Sequence, residues 1–248
     1  MSRSTVPEVT ALFWVVKVLT TGMGETTSDF FVLDFDPVIA VTVGFAVFVA
    51  ALAVQLAMRR YVPAVYWFAV AAVSVFGTMA ADAAHVVLGI PYVASTVALA
   101  VALTVILIAW RRVEGTLSIH SITTRRRELF YWATVLITFA LGTAVGDLTA
   151  TALHLGYLAS GIVFAVVIAV PAVAFRWLKL NAVVAFWFAY IVTRPLGASF
   201  ADWMGVPTAR GGLGWGTGPV SLVLAVIIVV LVTALSVRSS RDRRREAV

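Results

Sequence analysis

The chain has 248 residues, of which 62% are hydrophobic and 12% charged, with a formal net charge of +6 and no cysteine. So few charges cannot clothe a water-soluble surface, where about a quarter of residues are normally charged. The lack of cysteine excludes disulfides, thiolate metal sites and cysteine nucleophiles.

A bilayer core about 30 Å thick needs roughly 20 apolar residues per helix. The apolar stretches predict eight such helices, at 8–33, 38–58, 62–87, 92–110, 127–154, 157–175, 181–204 and 219–237. They use nearly the whole chain, so 1–248 reads as a single membrane domain, all-α. The first stretch carries Lys17, Glu25 and Asp29 and lacks a small-x-small cleavage site, so it reads as a span and not as a cleaved leader. Pro7 is placed in the first turn of helix one, and Pro37, Pro91 and Pro219 at the starts of even helices, where proline is tolerated. Residues 211–218 form a glycine-rich loop before the last helix.

This alternation sorts the basic residues. Arg3, Arg59, Arg60, Arg111, Arg112, Arg125, Arg126, Arg127, Arg176, Lys179 and the tail from Arg238 to Arg245 fall on one side. Arg210 stands alone on the other, and Lys17 and Arg194 lie inside helices. The positive-inside rule makes the crowded side cytoplasmic, with both termini there and the protein in a bacterial inner membrane. The positive charge is then topological. The tail, 239–248, is expected to rest on anionic lipid, and no nucleic-acid partner is needed to explain it. A homo-oligomer stays open.

Four segments align without gaps: FWVVKVLTTGMGETTSD, YWFAVAAVSVFGTMAAD, YWATVLITFALGTAVGD and FWFAYIVTRPLGASFAD. Each has a Trp, a Gly ten residues later and an Asp five residues after that. The members are Trp14, Gly24, Asp29; Trp67, Gly77, Asp82; Trp132, Gly142, Asp147; and Trp187, Gly197, Asp202. A repeat of this kind signals tandem duplication. The units run about 8–60, 61–112, 126–179 and 180–238, each a motif helix followed by a plain apolar helix. Two spans per unit give every copy the same orientation. The expectation is therefore four parallel two-helix repeats with pseudo-fourfold or twofold symmetry about the membrane normal. These FW/YW–Gly–Asp units resemble a bacterial family of uncharacterised membrane proteins with four tandem two-helix repeats and one tryptophan motif in each. The resemblance implies the same topology and no established activity.

The motif residues allow contrasting readings. The tryptophans suit an interfacial aromatic belt, or the lining of a substrate path. Tyr66, Tyr131, Phe186 and Tyr190 are expected mostly to face lipid. The glycines suit close helix packing, or a local helix break. The aspartates lie ~22 Å beyond their tryptophans by helical rise, all at one depth. They either cap helix ends and pair with Lys17 and Arg194, or form a ring that attracts cations.

Neighbours extend the cation reading. Glu25 with Asp29 and Asp82 with His85 share helix faces, and His154 follows Asp147 two turns on. Asp82, His85, Asp147, Glu25 and Asp29 are the candidate ligands, an oxygen and nitrogen set suited to Mn²⁺, Mg²⁺ or Fe²⁺, with Zn²⁺ also open. Lys17 and Arg194 are candidate counter-ions. Thr20, Thr21, Thr138 and Thr193 are candidate neutral oxygens along the path. Burial disfavours the ionised form of an acid, so the same carboxylates could carry protons.

The expected function is cation transport, of a divalent metal with proton coupling, and the metal is substrate or ligand with no cofactor otherwise implied. The alternatives are a transporter or channel for a small polar organic solute, and a non-transporting scaffold or sensor partner. No Ser-His-Asp grouping, HExxH or Walker loop points to an enzyme.

Overall fold

The computed structural model describes residues 4–177 and 181–246. Arg3 and Lys179, assigned above to the basic side, lie outside the described residues, as do residues 247–248 of the tail and the side chains of Arg176, Arg241, Arg243, Arg244 and Arg245. The described residues form eight α-helices and no strand: α1 (Ala11–Asp34), α2 (Pro37–Ala57), α3 (Pro63–Val86), α4 (Tyr92–Glu114), α5 (Arg125–Asp147), α6 (Tyr157–Trp177), α7 (Ala182–Gly205) and α8 (Thr217–Glu246).

Local chemistry sets the helix ends. Thr10 accepts from the Phe13 N–H, and Thr124 and Asn181 accept in the same way at α5 and α7. Asp36 accepts from the N–H groups of Val38 and Ile39, ahead of Pro37 in the first turn of α2. Side-chain oxygens at this position satisfy donors that have no partner within the helix. Pro7 is not in the first turn of α1 as expected, because the Thr10 cap starts the helix four residues later. Gly115 ends α4 in the left-handed conformation that glycine adopts without strain. α5 runs on from Asp147 into a π-helical turn over Leu148–Ala152.

α1, α3, α5 and α7 form an inner ring, each packed on the next, with α7 closing on α1. The repeat glycines are the contact points. A β-carbon at Gly24 would meet Ser74, at Gly77 Phe139, at Gly142 Arg194, and at Gly197 Thr21, all closer than 3 Å. In every case the partner stands three residues before the glycine of the next repeat. A second ring repeats the pattern with aromatics. Phe13 packs on Trp67, Tyr66 on Trp132, Tyr131 on Trp187 and Phe186 on Trp14, at centroid separations of 5.7, 5.7, 6.3 and 5.7 Å.

The plain helices form an outer layer, and each leans chiefly on the motif helix of the following repeat. α2 packs on α3, α4 on α5, α6 on α7 and α8 on α1. Each repeat is thus held by the next, and the last by the first. The outer helices expose large apolar residues such as Val38, Phe45, Val97, Val166, Leu222 and Val230. Surfaces this apolar are covered by another apolar phase. Among the described residues six helices, α2, α3, α4, α5 with its π-helical turn, α7 and α8, are long and apolar enough to cross a membrane. α1 is long but carries Lys17, Glu25, Asp29 and Asp34, and in α6 the apolar stretch with every side chain described is Tyr157–Val170.

The ring contacts predict a contrast between two glycines. Gly197→Ala forces a carbon to within 2.6 Å of Thr21 Cγ2 and 3.0 Å of the Val18 carbonyl oxygen, and should cost about 1–3 kcal/mol by overpacking. Gly146→Ala meets nothing nearer than 3.9 Å and should leave stability unchanged or raised, since alanine favours helix. Thermal unfolding of the two variants in detergent checks this.

Candidate functional site

The ring contacts also determine which residues point at its axis. Counting from the first aromatic of each repeat, every fourth residue is buried, and these stack as layers. The first layer is Phe13, Tyr66, Tyr131 and Phe186, and the second is Lys17, Val70, Val135 and Tyr190. Thr21, Ser74, Phe139 and Arg194 follow, then Glu25, Thr78, Thr143 and Ala198. The fifth layer is the four aspartates, of which Asp202 is buried and Asp29, Asp82 and Asp147 half-buried.

Arg194, wholly buried, is the centre of this column. Its Nη2 lies 3.2 Å from Glu25 Oε2. The same nitrogen donates to Thr143 Oγ1 at 3.1 Å and to Thr78 Oγ1. Nη1 donates to the Thr21 carbonyl at 2.8 Å and Nε to the Phe139 carbonyl at 3.2 Å. The Thr78 and Thr143 hydroxyls each donate to Glu25 Oε2 at 3.1 Å. A hydroxyl has one hydrogen and two lone pairs. Both threonines therefore give their proton to the carboxylate and accept from the guanidinium. All four inner helices contribute, which is what a buried charge pair needs to be tolerated.

One layer away lies Lys17, also wholly buried, whose Nζ has no hydrogen-bond partner among the described residues. It sits over the Phe139 ring at 4.1 Å and the Tyr190 ring at 4.3 Å, a cation–π cage. The Arg194 guanidinium shares the Phe139 ring at 4.7 Å. Of the two basic side chains in the column, only Arg194 pairs with the carboxylate. Below Lys17 the tyrosines close the column, with Tyr66 and Tyr131 hydroxyls hydrogen-bonded to each other. Under them the α4–α5 loop inserts Ile119 and Ile122, both buried, and Trp187 Nε1 donates to the Leu117 carbonyl at 2.9 Å.

On the other side of the pair, the four aspartates lie close enough to feel one another's charge and that of Glu25. Arg210, the lone basic residue at this end, is within electrostatic reach of Asp29. Among the described residues none of the four aspartates is ion-paired with Lys17 or Arg194. Glu25, one layer deeper, takes Arg194 instead.

Several expected residues stand elsewhere. Among the described residues no three His, Asp or Glu side chains gather as metal ligands would, so Asp82, His85, Asp147, Glu25 and Asp29 do not assemble into one set. His85 Nδ1 is 2.8 Å from the Ile90 carbonyl, and its ring stacks on Tyr92 at 3.7 Å. His154 is exposed in the turn after the π-helical segment, with a left-handed φ of 56°. Thr20 and Thr21 turn their hydroxyls back to the Lys17 carbonyl, Thr138 to Thr134 and Thr193 to Tyr190. Trp67, Trp132 and Trp187 are buried and Trp14 half-buried, so they pack inward instead of facing headgroups. Tyr66, Tyr131, Phe186 and Tyr190 are buried, not lipid-facing, because each packs on an aromatic ring of a neighbouring motif helix. The residues not anticipated are Thr78 and Thr143. The signal for them was the alignment column that follows each glycine, which pairs them with Glu25.

A family model described as Repeat of Unknown Function (DUF347) matches residues 12–61, 65–116, 130–180 and 185–241, one match per repeat. No curated protein and no solved structure matches the chain.

The central pair predicts a non-additive mutant set. Arg194→Met strands Glu25 in the core and should cost about 3–5 kcal/mol. Adding Glu25→Gln removes the stranded charge and should restore part of that loss. Denaturant or thermal unfolding of the single and double variants measures the coupling.

Proposed function

The chain belongs to this repeat family of unknown function, and we propose that it is a multi-pass membrane transporter of cations, coupled to protons, whose path is the acidic column inside the inner ring. The observation that carries the proposal is the Glu25–Arg194 pair, sealed among four helices directly beneath four aspartates. Ionisable groups within apolar helices are costly and mark function far more often than packing.

In this proposal all eight helices span the bilayer, α1 and α6 included, because the inner position of α1 shields its charged residues from lipid. The repeats are arranged with pseudo-fourfold symmetry about the membrane normal, for which the two cyclic contact rings are the support. The basic ends of the helices, with both termini, face the cytoplasm of a bacterial inner membrane. The aspartates then open to the outside as a vestibule that concentrates cations. Glu25 is the deepest acid, and it exchanges protons or a cation with the vestibule when Arg194 releases it. Lys17, whose amine has no hydrogen-bond partner among the described residues and lies over the Phe139 and Tyr190 rings, closes the column beyond the pair. The aromatic layer and the α4–α5 loop form the inner gate. Because neither His85 nor His154 joins the carboxylates, the carried ion is held by acids and hydroxyls alone, a hard-oxygen environment that suits a proton or a hydrated divalent ion.

One observation favours the scaffold alternative: the four layers beneath the aspartates are buried throughout. Under that alternative the polar column is structural and nothing moves through it.

Purified protein in liposomes containing a pH-sensitive dye discriminates the two. Imposed gradients of Mn²⁺, Mg²⁺, Ca²⁺ or Zn²⁺ should drive proton counter-movement, and each of Asp82→Asn and Asp147→Asn should abolish it without unfolding the protein. Wild-type rates in both variants, or no flux with any ion, would remove the transport proposal.

A further inference from the structure

One seam of the outer layer lies between α2 and α8. α8 packs on α1 and α2 packs on α3, which leaves a gap between α2 and α8 over the α1–α3 contact. A groove of about 720 Å³ occupies it, lined almost wholly by apolar side chains that include Phe31, Val43, Phe68, Ile228 and Val232, and ending at Trp67. Along α8 the lining runs from Ala225 to Thr233, ~12 Å of helix, close to the ~15 Å depth of a single leaflet.

Trp67 also lines a second cavity, of about 510 Å³, at the basic end of the same seam. Arg60 from the α2–α3 loop and Arg238 from α8 border it, together with Glu8, Thr10 and Tyr61. Both arginines are exposed, and among the described residues neither is ion-paired. The segment from Ser4 to Thr10, which precedes α1, builds another part of its wall. An apolar groove of leaflet depth thus leads into a polar cavity with two free guanidinium groups against one carboxylate. Guanidinium forks match phosphate oxygens in geometry and charge.

We propose that this seam is a specific site for one anionic glycerophospholipid, with an acyl chain in the groove and the phosphate held by Arg60 and Arg238. The lipid fills the gap where the last repeat closes on the first, and so braces the ring at its junction. The site rests on the membrane-embedded reading of the fold and not on ion transport, and its test does not use flux. The excess of arginine over Glu8 selects an anionic headgroup over a zwitterionic one.

Native mass spectrometry of the full-length protein titrated with phosphatidylglycerol or phosphatidylcholine, in detergent, reads the site directly. Phosphatidylglycerol should be retained as a single tight copy, with phosphatidylcholine about tenfold or more weaker, roughly the 1.4 kcal/mol worth of one charge-assisted contact. Arg60→Gln with Arg238→Gln should abolish the preference while leaving the lipid-free thermal midpoint unchanged, since both side chains are exposed and unpaired. Val229→Trp, which fills the groove from an exposed position, should displace both lipids. Equal retention of the two lipids by the wild type, or an undiminished preference in the double variant, would overturn the proposal. A protein inert in flux assays that still shows the preference would leave this site standing and remove only the transport reading.

Discussion

Residue 142 carries a hydrogen where any other amino acid would carry carbon, and Arg194 occupies that space. A β-carbon at 142 would lie 2.0 Å from Arg194 Cγ. Because the space is empty, the side chain can leave α7, cross to α5 and spread its guanidinium between two carbonyls, two hydroxyls and Glu25. The contact that joins α5 to α7 in the inner ring is therefore also the contact that places its central charge. Elsewhere in the ring the same contact takes Ser74, Phe139 or Thr21, and only the α5–α7 seam spends it on a cation. A guanidinium buried at this depth is tolerable only when its donors are satisfied and its charge is balanced nearby. That condition ties α1, α3, α5 and α7 to a single arrangement.

The four repeats share a scaffold and differ in their lining. Glycine and aspartate recur in every copy, and so do the aromatic pairs that lock neighbouring helices. Lys17, Glu25 and Arg194 occur once each, at positions whose counterparts are valine, threonine or alanine among others. A strictly fourfold ring would put four like charges on its axis, and their repulsion at low dielectric would oppose assembly. Dividing the charges among copies lets Glu25 of the first repeat meet Arg194 of the fourth on the adjoining helix.

Much of the architecture was readable in advance, and the misreadings share a cause. The span positions came from apolar run lengths, and they agree with the helices to within a few residues at most ends. The repeat came from spacing, and the family match falls on the same four units. The tryptophans and tyrosines were misplaced because an aromatic near a helix end suits both a lipid interface and a packed core. Which applies depends on whether that helix is inner or outer, and hydropathy alone does not separate the two. Helical spacing joins His85 and His154 to the aspartates. The α3–α4 connection instead turns His85 onto Tyr92, and the π-helical turn after Asp147 carries His154 out to an exposed bend.

By itself the sequence determined the all-helical composition, the number of repeats and the residues that recur in each, because these follow from short-range periodicity and composition. Tertiary structure alone decided that the motif helices form the inner ring, that each plain helix leans on the next repeat, and that Arg194 takes Glu25 instead of an aspartate. Those outcomes depend on contacts between residues on different helices, from Gly44 and Met79 in neighbouring repeats to Glu25 and Arg194 in the first and last. Such contacts are selected by how four helices fit together around small side chains, a property of no single helix.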